Sequence, residues 1–179
     1  WRRRQDDFKG LGTQEIGLSN KGVLFPDSVV PAQHLEIFLR SITRHVSSVT
    51  DLSKLSIPFA AIATDLDTGE AVVMQKDVTL ADAMRSSMSV PGAFSPFPYK
   101  NHVLVDGGLA QNLPVEQAKA MGADIIIAVN AGTPLGKSKD IHSVAGVMGQ
   151  MIGILTERNV DHSKSLLTEK DILITTDLT

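Results

Sequence analysis

Four short, almost continuously apolar runs limit what this chain can fold into: residues 57–64 (IPFAAIAT), 103–105 (VLV), 124–129 (DIIIAV) and 171–175 (DILIT). Runs of this length without polar alternation read as strands covered on both faces. Stretches of helical character separate them. Thr79-x-x-Asp82 sets up a helix start, with Thr79 as N-cap and Asp82 in the first turn. Asn112 is placed to cap the next helix, Pro114 suits its first turn, and Gly122 suits its end. Val144, Met148, Met151, Ile152 and Leu155 mark a longer helix. Strand, helix, strand, helix, strand predicts an α/β fold with a mainly parallel sheet and helices on both faces. Ligand sites in such sheets form at the carboxyl ends of strands, and Asp106 falls at such an end.

Two further elements belong to the same reading. Leu35, Phe38, Leu39, Ile42 and Val46 share one face of a helix beginning near Pro31, and that stripe reads as core. Asp67-Thr68-Gly69-Glu70 is a turn returning the chain into a strand at residues 71–74. The stretch from Asp65 to Glu70 partly matches a calcium loop. Its glycine stands fifth rather than sixth, so a hairpin is the reading and no metal is expected. Residues 1–30 read as loops, with one short strand near Val23 and Leu24.

A length of 179 residues is that of one domain, spanning 1–179. Aromatics are only 4 % of the chain, so its core must come from Leu, Ile, Val, Ala and Met. The net charge of −3 argues against a nucleic-acid partner. The single basic run, Arg2-Arg3-Arg4, is answered by Asp6 and Asp7. Without cysteine there are no disulfides or thiolate metal sites, and the five histidines show no ligand spacing. No metal or organic cofactor is expected.

Asp106-Gly107-Gly108 is the strongest local chemical signal. A carboxylate at a strand end reaches a cleft, and two following glycines leave room for a substrate or another backbone. Taken alone, the tripeptide is more often a turn. Its surroundings change the weighing. Residues 105–115 (VDGGLAQNLPV) and 121–129 (MGADIIIAV) resemble the patatin-like phospholipases. Residues 58–70 (PFAAIATDLDTGE) are similar to that family's middle strand and turn, and 85–94 (RSSMSVPGAF) to its segment before the aspartate. The resemblance covers about Ile57 to Val129.

That resemblance implies a three-layer α/β lipid acyl hydrolase with a Ser–Asp dyad. Asp106 would be the catalytic carboxylate, and Gly107, Gly108, Pro91 and Gly92 would line the site. The substrate would be a phospholipid or other acyl ester, with contact at a membrane surface. Residues 132–135 and 149–160 resemble a bacterial subgroup whose secreted domain precedes an outer-membrane barrel, which implies an extracytoplasmic location. The family also uses a glycine-rich oxyanion loop and a G-x-S-x-G elbow upstream of the aspartate. No G-x-S-x-G occurs here. Ser19 and Ser138 read as loop serines, and Ser86, Ser87 and Ser89 as supports of the site rather than nucleophiles. The chain therefore reads as the later part of such a domain, incomplete on its N-terminal side and inactive by itself. Two readings stay open beside it: a non-catalytic α/β module binding a small ligand through Asp106 and the Gly132 loop, and an inert fragment.

Overall fold

Residues 61–65 lack polar alternation, and in the computed structural model they form a strand buried at every position. The structure describes residues 17–19, 22–24, 32–132, 135 and 144–176. The Arg2–Arg4 run, Pro31 and Ser138 lie outside them. Two short strands, β1 (Gly17–Ser19) and β2 (Gly22–Leu24), form an antiparallel pair. The buried strand is β3 (Ala61–Asp65), followed by β4 (Ala71–Met74), β5 (Phe97–Tyr99) and β6 (His102–Asp106). They form one sheet in the order β4-β3-β6-β5.

The α/β class is as expected, but pairing in this sheet differs from the parallel arrangement read from the sequence. All three of its ladders are antiparallel. Parallel pairing among the described strands is confined to β7 (Ile127–Asn130) with β8 (Ile172–Thr175). For the β3–β4 and β5–β6 ladders the cause lies in the connections. A parallel pair needs a crossover of a dozen or more residues, usually a helix. The β3–β4 turn is too short, and Gly69 turns it at φ +75°. The β5–β6 turn is Lys100-Asn101, with Lys100 at φ +52°. A long helix separates β7 from β8, and there the pairing is parallel.

Five helices accompany the strands among the described residues. They are α1 (Ala32–Ile42), α2 (Leu80–Ser87), α3 (Gly108–Gln111), α4 (Val115–Ala120) and α5 (Val144–Ser165). Thr79 caps α2 as its sequence suggests: its hydroxyl oxygen accepts the Asp82 N–H and its hydroxyl donates to the Asp82 carboxylate. Gly122 follows α4 at φ +86°. Asn112 does not cap α4. Pro114 occupies that position, and Asn112 closes α3 instead, because two short helices rather than one follow Asp106.

Leu52, Ala61, Ala63, Met74, Val78, Ala83 and Leu104 form one core cluster between α2 and the antiparallel sheet. Leu113, Val115, Ile126, Ala128 and Val160 form a second, between α4, β7 and α5. The stripe on α1 is less buried than its pattern suggests: Leu39 is buried, while Phe38 is 57 % and Ile42 46 % exposed. Helical periodicity shows which residues share a face, and burial then depends on what lies opposite. Likewise β3 is covered on both faces, whereas Ile127, Val129 and the whole of β8 are exposed. Met148, Met151 and Leu155 on α5 are exposed too. No helix among the described residues is long and apolar enough to cross a membrane.

Candidate active site

Asp106 is the last residue of β6, an interior strand of the antiparallel sheet. Its backbone is pinned on both sides. The Asp106 N–H donates to the Ser89 carbonyl at 3.0 Å, and the Thr64 hydroxyl donates to the Asp106 carbonyl at 2.8 Å. The same Thr64 oxygen accepts the Ala110 N–H at 3.1 Å, so one buried hydroxyl ties the end of β6 to α3. The Gly107 N–H donates to the Ser87 carbonyl at 3.2 Å.

The Asp106 carboxylate borders a cleft of about 380 Å³. Gly107, Gly108, Ile62, Ser87, Asn112 and Pro114 are among the residues around it. No second charged side chain stands in this wall among the described residues. Burial pushes the Asp106 carboxyl above the usual carboxylate range, because ionisation is disfavoured where water is scarce. The Gly108 N–H opposes this by donating to Oδ1 at 2.7 Å. The group is therefore a stronger base than a solvated aspartate, restrained by one aimed backbone donor.

The two glycines do different things. A Cβ at Gly107 would lie 2.0 Å from the Ile62 carbonyl oxygen, so the turn sits directly against the β3 backbone. A Cβ at Gly108 would lie 2.8 Å from Asp106 Oδ1 and 3.0 Å from Asn112 Oδ1. Gly107 thus serves the close approach of two backbones, and Gly108 leaves the carboxylate its place.

Pro91 and Gly92 are not in the cleft wall. They belong to the turn leading out of α2 toward β5, where Gly92 takes φ +84° and is exposed. What that segment brings to the site is Ser87, together with the backbone carbonyls of Ser87 and Ser89. Ser86 and Ser89 are fully buried, with hydroxyls donating to the carbonyls of Ala83 and Arg85. Arg85 stabilises the loop from within. It is 3 % exposed, donates to Ser89 Oγ at 2.5 Å and to the Ser95 carbonyl at 2.9 Å, and lies over the Phe94 ring. Ile62, Thr64 and Asn112 lie within the family-like stretches 58–70 and 105–115, but their place beside Asp106 is seen only in the folded chain.

A larger cavity, about 610 Å³, opens at the ends of β7 and β8 beside Asn130, Gly132, Glu157 and Lys164. Asp106 does not border it. The remainder of the Gly132 loop lies mostly outside the described residues.

Comparison with known proteins shows which family the chain is similar to. Residues 4–119 match the family model described as patatin-like phospholipase. An uncharacterized NTE family protein of Mycobacterium tuberculosis is 34 % identical over 98 residues, which is 54 % of this chain and 27 % of that protein. The human patatin-like phospholipase domain-containing protein 6 is 37 % identical over 98 residues, 54 % of this chain and 7 % of that protein. Mouse patatin-like phospholipase domain-containing protein 7 is 37 % identical over 95 residues, again 7 % of its length. The matched stretch thus spans about a quarter or less of these relatives. With the family model covering well over half the chain, and Asp106 in a cleft at the end of its strand, this chain belongs to the patatin-like phospholipase family.

Proposed function

We propose that Asp106 is the general base of a serine lipid acyl hydrolase of the phospholipase A or esterase type, with the nucleophilic serine supplied by a part of the protein outside this sequence. The observation that carries this reading is the Asp106 carboxylate itself, bordering a cleft without another charge and made more basic by burial. A serine hydroxyl attacks poorly until a base takes its proton. Asp106 accepts that proton as the serine oxygen attacks the ester carbonyl carbon, and the proton then passes to the departing alcohol. Water attacks the acyl-enzyme, giving its proton to Asp106 and releasing the fatty acid, and the serine recovers its hydrogen. Backbone N–H donors of a glycine-rich loop would hold the oxyanion.

The test compares this chain, the full-length protein and its Asp106→Asn variant in an ester assay and a fluorophosphonate labelling gel. Full-length protein turns over and is labelled, Asp106→Asn loses turnover, and the isolated chain does neither. Full turnover by Asp106→Asn removes Asp106 from the mechanism, and a full-length protein with neither turnover nor labelling leaves the ligand-binding module in its place. Robust labelling of the isolated chain instead makes one of its own serines the nucleophile.

The substrate in this reading is a phospholipid or related acyl ester met at a membrane surface. An extracytoplasmic location is the accompanying proposal, resting on residues 132–135 and 149–160. Cell fractionation checks it: recovery of the full-length protein in the cytoplasmic fraction sinks it.

A further inference from the structure

Helix α3 is a single turn of four residues. A lone turn is costly to form and holds its shape through outside contacts. One anchor is the Thr64 hydroxyl, described above. The other comes from the opposite direction. Asn159, part-buried on α5, donates from Nδ2 to the carbonyls of Gly108, at 2.9 Å, and Leu109, at 3.2 Å. Its Oδ1 accepts the Asn112 N–H at 2.9 Å. Two carbonyls need a donor and one N–H needs an acceptor, so the orientation of the amide is fixed by its neighbours. Gly108 therefore holds the Asp106 carboxylate with its N–H and is itself held through its carbonyl.

We propose that Asn159 is a positioning residue for Asp106: by bracketing α3 it keeps the Gly108 N–H on the carboxylate and the carboxylate aimed into the cleft. This rests on the reading of Asp106 as the base. Asn159 lies outside the stretch matched by the family model and 51 residues from Gly108 in sequence. Only the fold joins the two.

The role leaves a signature that simple stability does not. Without the bracket, α3 drifts and the Gly108 donor leaves Oδ1, so burial alone sets the proton affinity of Asp106. The groups packed around the carboxylate come from β3 (Ile62 and its neighbours), from the end of α2 (Ser87) and from the α3 region (Gln111, Asn112), and none of them titrates. The acid limb of the rate profile therefore reports Asp106 and moves to higher pH.

The experiment measures kcat, KM, the pH profile and the melting temperature of full-length protein carrying Asn159→Leu, Asn159→Asp or Asp106→Asn. Asn159→Leu keeps the bulk and removes every hydrogen bond. Asn159→Asp keeps the acceptor for Asn112 but loses the donor, so it covers the case in which Leu prevents folding. Both are expected to lower kcat about ten- to a hundred-fold, as a small misplacement of a reacting group does, with KM little changed. Asn159→Leu should also raise the acid limb. Wild-type kcat and pH profile in the folded Asn159 variants, even with a lowered melting temperature, overturn the proposal while an inactive Asp106→Asn leaves the base assignment standing. An active Asp106→Asn removes the base itself.

Discussion

The Gly108 N–H donates to the Asp106 carboxylate at 2.7 Å, and a methyl group on Gly108 would come within 2.8 Å of the same oxygen. Donor and clearance are thus supplied by one residue. The atom in the way is the end of a side chain, which can swing aside without disturbing the backbone. Gly108→Ala should therefore fold and melt near the wild type while losing most turnover. A melting curve beside an ester assay on the full-length protein checks this, and unchanged turnover refutes it.

Gly107→Ala should behave in the opposite way. Its methyl would meet the Ile62 carbonyl at 2.0 Å, and a strand buried at every position cannot retreat. Overpacking typically costs about 1–3 kcal/mol, and a clash with backbone falls at the upper end of that range. The expected result is a large drop in the urea midpoint or failure to fold. A variant with wild-type stability would mean the turn does not sit against β3 as described.

Two aspartates should respond to pH with opposite signs. Burial raises the Asp106 carboxyl, so the folded state binds its proton more readily than the unfolded chain does. Its contribution to stability is present at pH below the unfolded value of about 4 and is lost as pH rises through the folded value. Asp106→Asn should accordingly be inactive yet more stable than wild type at neutral pH. Asp65 is lowered, first by the Asp67 N–H and then by His102, whose Nδ1 lies 2.8 Å from its carboxylate. Its contribution is present above the unfolded value and lost as pH falls through the folded one. His102→Ala should raise the pH of acid unfolding. Urea midpoints collected across pH decide both, and the same slope change in both variants contradicts the assignment.

Thr64→Val removes one hydroxyl and almost no volume. It takes the hydroxyl donor from the Asp106 carbonyl and leaves the Ala110 N–H only its 3.2 Å bond to the Gly107 carbonyl, at a cost of about 0.5–1.5 kcal/mol for each bond lost. Because the two groups lie on either side of the Asp-Gly-Gly turn, kcat should fall along with stability. Thr64→Ser, which keeps the hydroxyl, should restore most of the activity. Wild-type turnover by Thr64→Val would show that the hydroxyl does not hold the turn in place.

Arg85→Lys keeps the charge and loses the fork. A lysine cannot span Ser89 Oγ and the Ser95 carbonyl as the planar guanidinium does. The expected loss is about 1–3 kcal/mol for the unmade bonds. Proteolysis should open first within residues 88–95, the loop these bonds close. Equal protease resistance in the two proteins would show that the loop is held by other contacts.

What the sequence discloses divides by distance along the chain. The Thr79 cap, the Gly69 turn, Gly122 and the Asp-Gly-Gly strand end are short-range chemistry, and a few adjacent residues suffice to specify them. The antiparallel sheet is less legible, since continuously apolar runs show burial and leave strand direction to the connections. The α1 stripe misleads for a related reason: Phe38 and Ile42 share the face of Leu39, and nothing in that spacing reveals what faces them. The supports of the Asp106 turn are hardest to read. Thr64, Ser87 and Asn159 come from three separate segments and meet that turn or α3 through one to three hydrogen bonds each; Ser87 reads as a support from its segment, but the bonds themselves imprint no pattern on neighbouring residues. Pro91 and Gly92 show the reverse case, a conspicuous pair whose geometry serves a turn away from the cleft.

The seating of Gly107 on Ile62 bears on how diverged relatives should be interpreted. That glycine answers to the meeting of two backbones and is indifferent to whether a reaction occurs nearby. A relative without the acid no longer needs the clearance at Gly108, yet its turn still meets the β3 backbone at Gly107. Glycine at that position is thus a marker of shared architecture, whereas the second glycine is tied to the place of the carboxylate.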